Sequence, residues 1–164
     1  MAMHQHHPFS RIMFGPWLQS VARMWRAATD AAFGEYGLSF STGMALIYIH
    51  RLGGRMRQGE LARCMSIEGP SLVRVLDQLC AAGLVQRADD PSDRRAKQVQ
   101  MTPDGRALMR RLEPSLDMVR DRLLGQVTGA DMAATLRALE GIADAAGEPL
   151  PVPAHPVEPH PLQS

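Results

Sequence analysis

Residues 69–83 constrain the fold more than any other part of the chain. Gly69-Pro70 opens the stretch and Gly83 closes it. Proline suits the first turn of a helix, because the N–H it lacks would have no partner there. Between these limits Leu72, Val75, Leu76, Leu79 and Cys80 recur at i, i+3, i+4, i+7 and i+8, one apolar face of a helix. The opposite face carries Ser71, Arg74 and Gln78. A short helix is expected just upstream, about Gln58 to Met65, with Leu61 and Met65 turned inward. Downstream, Leu84 to Ala88 and Ala96 to Met101 read as two short strands. They flank Asp89-Asp90-Pro91-Ser92-Asp93-Arg94-Arg95, a hairpin with a charged, turn-rich tip.

Short helix, tight turn, amphipathic helix and basic hairpin together make a winged helix-turn-helix. The second helix can enter a major groove because one face packs down and the other offers donors. Ser71, Arg74 and Gln78 are the expected contacts to phosphates or base edges, and Leu72 is counted with them as a DNA-contacting position. Arg94, Arg95 and Lys97 place positive charge near the hairpin tip, where a narrow minor groove attracts guanidinium groups. Asp93 would oppose DNA unless it orients one of those arginines, which is its assigned role. Any one of these cations alone is ordinary solvated surface; their joint order is what favours a duplex.

The flanks are helical. From about Arg11 to Phe33 a stripe of Leu18, Val21, Trp25, Ala28 and Ala32 predicts a first helix. Ser41 is the expected cap of a second, through Met44, Ile47 and Leu52 to Gly53-Gly54. Thr102-Pro103 starts a long helix with Leu108, Leu112, Leu116, Val119 and Leu123 on one face, bent at Pro114, which removes the bond to the Arg110 carbonyl. A last helix is expected over about Gly129 to Ala146. The fold class is therefore mostly α (α+β), with a winged domain at about 40–102 and terminal helices at about 11–34 and 103–146. The stripe on the long helix exceeds what one small winged domain covers, so a partner helix and two-fold pairing are expected. Residues 1–10, with His4, His6 and His7, are expected to be mobile. The tail from 148 to 164 holds six of the twelve prolines and is expected to be extended and disordered.

Charge agrees with this layout. The chain's net charge of +1 hides +3 over residues 51–106 and −3 over residues 107–164, so the positive part is the winged one. Neither a nucleophile motif, nor a phosphate-cradling glycine loop, nor a carboxylate pair on a shared face is present, and the chain is read as a non-enzyme without cofactor. The longest clean apolar run, Met44 to Ile49, is too short to cross a bilayer, and no secretion signal is read. Two cysteines, Cys64 and Cys80, fit a reduced cytoplasmic compartment.

The run from Ile67 through Gly69-Pro70-Ser71-Leu72-Val73-Arg74 to Leu79, then Gly83-Leu84-Val85, Asp93-Arg94-Arg95-Ala96-Lys97 and Met101-Thr102, strongly resembles the MarR family of bacterial regulators, nearest its SlyA-like branch. Met24-Trp25-Arg26-Ala27 and Asp30 add to the match, which covers roughly residues 14 to 145. The resemblance implies a homodimer built from the first and last helices, on a pseudo-palindromic operator, usually as a repressor. It implies DNA contacts from Ser71 and Arg74 and from the wing pair Arg94 and Arg95. It also implies release by a small aromatic carboxylate or phenol, entering between the dimerisation helices and the winged domain.

Gly43 bears on that ligand. Glycine inside a helix costs about 1 kcal/mol relative to alanine, and similar regulators often carry a bulky aromatic there. Either a cavity or a close helix crossing explains it. For a cavity, the expected lining is Met13, Trp17, Gly43, Met44, Ile47 and His50, with Arg11 or His7 pairing a carboxylate. Three alternatives stay open. A redox trigger would use Cys64 or Cys80, although both read as small core residues. A metal trigger would draw on His4, His6, His7, His50, His155 and His160, which lack the spacing of a zinc site. A winged-helix module for protein contacts is the third.

Overall fold

Gly34 ends the first long amphipathic run, and helix α1 spans Phe9–Gly34. The computed structural model describes residues 9–90, 97–148 and 150. The readings of residues 1–8 and of the proline-rich tail fall outside that range.

Helix α2 (Phe40–Arg51) is capped by Ser39, not by the expected Ser41. Ser39 accepts from the Thr42 amide while Thr42 Oγ1 accepts from the Ser39 amide at 2.9 Å, a reciprocal pair that only a residue three positions on can close. Gly53 and Gly54 then turn the chain at φ +92° and +78°, a backbone that side chains with a Cβ resist. That turn delivers strand β1 (Arg55–Arg57), which the sequence did not reveal because three residues carry no usable period. Only Met56 of the three is buried.

Helices α3 (Gln58–Cys64) and α4 (Gly69–Ala81) follow, joined through Ser66, whose φ of +51° is left-handed. Strands β2 (Val85–Asp89) and β3 (Lys97–Met101) complete an antiparallel sheet in the order β1-β3-β2. Val99 sits opposite both Met56 and Arg87, which fixes the register at a fully buried position of the central strand. Leu46, Ile49, Leu61, Leu76, Leu79, Val99 and Met101 form the centre of the core.

Helix α5 (Pro103–Leu124) starts one residue after β3, with Thr102 as its cap. It continues through Pro114. Beside that proline, the Tyr36 hydroxyl donates to the Arg111 carbonyl at 2.7 Å and lies 3.1 Å from Ser115 Oγ. Tyr36 thus fastens the α1–α2 connection to the middle of α5. Tyr36→Phe is expected to lower stability by about 1–2 kcal/mol, read as a shifted urea midpoint at unchanged m.

One expectation about α5 is corrected. Leu112, Leu116 and Val119 are buried within the single chain, where α5 packs on α1 and α2, so this stripe does not by itself demand a partner. Leu123, the last residue of the stripe, stays exposed, and broader open apolar faces lie on the terminal helices. Phe14, Trp17, Leu18, Val21 and Met24 are exposed along α1 before the part that enters the core. Helix α6 (Gly129–Ala146), whose bounds match the expected ones, has no buried residue at all.

Candidate nucleic-acid interface

Helix α4 divides cleanly into two faces. Leu72, Val75, Leu76 and Leu79 are buried in the core, while Ser71, Val73, Arg74, Asp77 and Gln78 face solvent. The structure therefore brings Ser71, Arg74 and Gln78 to one outward surface, as their spacing predicts. Leu72 is a correction: at 3% exposure it belongs to the core and cannot reach a nucleic acid. Val73, 46% exposed, is the apolar side chain that this surface presents instead.

The wing rises beside α4. Its tip residues Asp93, Arg94 and Arg95 lie outside the described residues, so their assigned roles rest on the sequence. The rest of the sheet is described, and Lys97, Arg57 and Arg87 are matched to acids. Lys97 pairs with Asp89 directly across the β2–β3 ladder. Arg57 Nε donates to Asp90 Oδ2 at 2.6 Å, and Asp90 is buried. Arg87 Nη2 lies 2.8 Å from Asp77 Oδ1. Arg74, in contrast, makes no hydrogen bond or ion pair among the described residues. Gln58, Val73, Arg87, Ala88, Asp89 and Lys97 line an open groove between α4 and the stem.

Sequence reasoning missed Arg87, Asp77 and the Arg57–Asp90 pair. Each joins two elements whose proximity only the assembled fold creates, and no local pattern announces it.

The residues proposed for a ligand are not drawn into one place by the single chain. Its core takes up α1 only from Ala28 onward, whereas Met44 and Ile47 pack against that core. Arg11 and Trp17 are exposed on the early part of α1, Met13 is half-buried there, and His50 is exposed at the end of α2. His7 lies outside the described residues. At Gly43 the structure decides between the two explanations: a Cβ there would sit 2.6 Å from three atoms of the Phe33 ring. The position is a close helix crossing, and a phenyl group from α1 fills the space that the missing side chain leaves. Nearby, the Arg26 guanidinium stacks 4.2 Å above the Phe40 ring, tying the same two helices.

Cys64 does not resemble a redox trigger. Burial, with the Glu60 carboxylate, pushes its thiol pKa up, and burial together with Cys64 raises that of Tyr48. A sensor needs the opposite shift, toward thiolate. Cys80 is half-buried. Among the described residues no group of three or more His, Cys, Asp or Glu is placed to hold a metal, and no helix is long and apolar enough to cross a membrane.

The family model that matches is that of the MarR family, over residues 36–96, from the α1–α2 connection to the wing. The crystal structure of the transcriptional regulator PA3341 superimposes with a TM-score of 0.77 at 33% identity, over 82% of this chain and 98% of that one. The chain belongs to the MarR family. A second structure, CouR from Rhodococcus jostii RHA1 bound to p-coumaroyl-CoA, is 27% identical with a TM-score of 0.73, covering 79% of this chain and 91% of that one. A mutant MarR from E. coli complexed with operator DNA shares the fold at 21% identity and a TM-score of 0.70, covering 83% and 98%. This MarR-family protein thus has the winged-helix architecture of DNA-binding transcriptional regulators.

Proposed function

We propose that this MarR-family regulator is a repressor of the SlyA-like kind that binds a pseudo-palindromic operator as a homodimer. In this reading α4 of each protomer lies in a major groove, with Ser71, Arg74 and Gln78 against phosphates and base edges. The wing, with Arg94, Arg95 and Lys97 and with Asp93 orienting, reaches the adjacent minor groove. The observation that carries the proposal is Arg74. It stands on the outward face of a helix locked to the core, and no carboxylate among the described residues claims it.

Pairing is supported by surface that the single chain leaves open. Trp17 is 60% and Met24 65% exposed on α1, and α6 presents Leu136 and Ile142 to solvent without burying any residue. Apolar faces of this extent on two terminal helices are the kind that association covers. Light scattering on the purified protein is expected to return twice the 18.0 kDa chain mass.

Arg74→Ala is expected to weaken operator binding by about 1–3 kcal/mol, if Arg74 reads a base, with the circular dichroism spectrum unchanged. Fluorescence anisotropy on a duplex selected by the wild-type protein from a random pool measures this. An unaltered affinity would overturn the assignment of α4 as the recognition element.

The trigger is proposed to be a small aromatic carboxylate or phenol. The support is family membership, together with the aromatic acyl thioester bound by CouR. A molecule reaching the Gly43 position would have to displace the Phe33 ring. Thermal-shift screening of aromatic acids, followed by operator release with the hits, tests the idea. A panel that neither stabilises the protein nor alters DNA affinity removes it.

A further inference from the structure

We infer that Arg87 is a positioning residue that holds the wing against the recognition helix, with Asp77 as its anchor on α4. The inference rests on the DNA-binding reading given above.

One guanidinium nitrogen of Arg87 meets two groups of α4. Its Nη2 is 2.8 Å from Asp77 Oδ1 and donates to the Val73 carbonyl at 3.3 Å. Residues 73 and 77 are one helical turn apart, so the grip is taken along the axis of α4 and resists both sliding and tilting. A carbonyl has two lone pairs, and Val73 can receive this bond while keeping its helical one. The other end of the lever is equally fixed, because Arg87 stands opposite the buried Val99 in the sheet. A slip of one residue there would turn Val99 out of the core. Arg87 therefore spans the groove between the two elements that must meet the same duplex.

Charge makes the same point. Asp77 lies on the outward face of α4, three residues after Arg74, where a bare carboxylate faces phosphates. Both partners of the pair remain partly exposed, so the contact adds little to folding stability. Its effect falls on the relative placement of helix and wing.

Asp77→Ala separates this role from others, because removing a negative charge from a DNA-facing surface should by charge alone tighten binding. A latch predicts the reverse. On the duplex selected by the wild-type protein, Asp77→Ala and Arg87→Ala are each expected to weaken binding by about tenfold, and the double variant by no more than either alone. Thermal midpoints should stay near wild type. Hydroxyl-radical footprints should lose protection at the flanks, under the wing, and keep it at the centre of each half-site. If Asp77→Ala binds as well as wild type or better, the latch is overturned. If Arg87→Ala alone weakens binding and lowers the salt slope by about 0.9, Arg87 contacts a phosphate directly and the latch is likewise overturned. Failure of the wild-type protein to select any duplex would instead defeat the DNA-binding reading on which both rest.

Discussion

Gly105→Ala is expected to lower folding stability by about 3 kcal/mol. A Cβ at this buried position of the first turn of α5 would lie 2.1 Å from the Leu84 carbonyl oxygen and 2.8 Å from Met101 Cγ. The methionine could give way, but the carbonyl cannot. It accepts hydrogen bonds from both the amide and the hydroxyl of Thr102, at 3.1 Å each, and the Thr102 hydroxyl also lies 2.7 Å from the Gly83 carbonyl. The same hydroxyl accepts from the Gly105 amide at 3.0 Å, so helix and strand are clamped together where the alanine would intrude. Helix propensity alone would favour alanine by about 1 kcal/mol, so the sign of the measured change decides which effect dominates. Urea denaturation followed by circular dichroism gives that sign. A variant as stable as wild type would refute the close approach of α5 to β2.

Gly43→Val is the second large effect, expected at about 3 kcal/mol. The Phe33 ring is fully buried, and its edge is set against Phe40 with centroids 6.2 Å apart and planes at 63°. With Cδ1, Cδ2 and Cε1 all 2.6 Å from the position of a Cβ, the added carbon meets the ring over its face, so a small ring rotation gives no relief. Either α1 and α2 separate or the phenyl leaves its rotamer. Phe33→Leu, which costs stability alone, should therefore recover part of the loss when combined with Gly43→Val. The double-mutant cycle should show a coupling of about 1–3 kcal/mol. Additive losses would mean that the ring and the glycine do not share the space.

What the sequence conveyed and what it withheld divide along physical lines. The bounds of α4 and α6 were legible, because Gly-Pro, the terminal glycines and the apolar period all act within a few residues. The outward placement of Ser71, Arg74 and Gln78 followed from the same period. Leu72 illustrates how narrow that margin is: one position away from Ser71, it turns by about 100° into the core. The cap of α2 was displaced by two residues because Ser39 and Ser41 look alike until the Thr42 side chain chooses between them. Strand β1 exists only through its pairing with β3. The stripe on α5 was expected to need a partner helix, but Leu112, Leu116 and Val119 are covered by the chain's own α1 and α2, while Leu123 at its end stays exposed. Gly43 left two explanations open, since the phenyl group that resolves them comes from ten residues earlier on another helix. Arg87 and Asp77 are likewise ten residues apart and on different elements, and no period connects a strand to a helix.

In the DNA-binding reading proposed above, the matched charges of the sheet have a consequence for behaviour on a chromosome. Arg57 and Arg87 already face carboxylates of the same chain, so their pull on an arbitrary stretch of duplex is blunted. Hold on unrelated sequence is set mainly by uncommitted positive charge. A regulator built this way loses less time on the many wrong sites that compete for it, and its occupancy depends more heavily on fit at the right one.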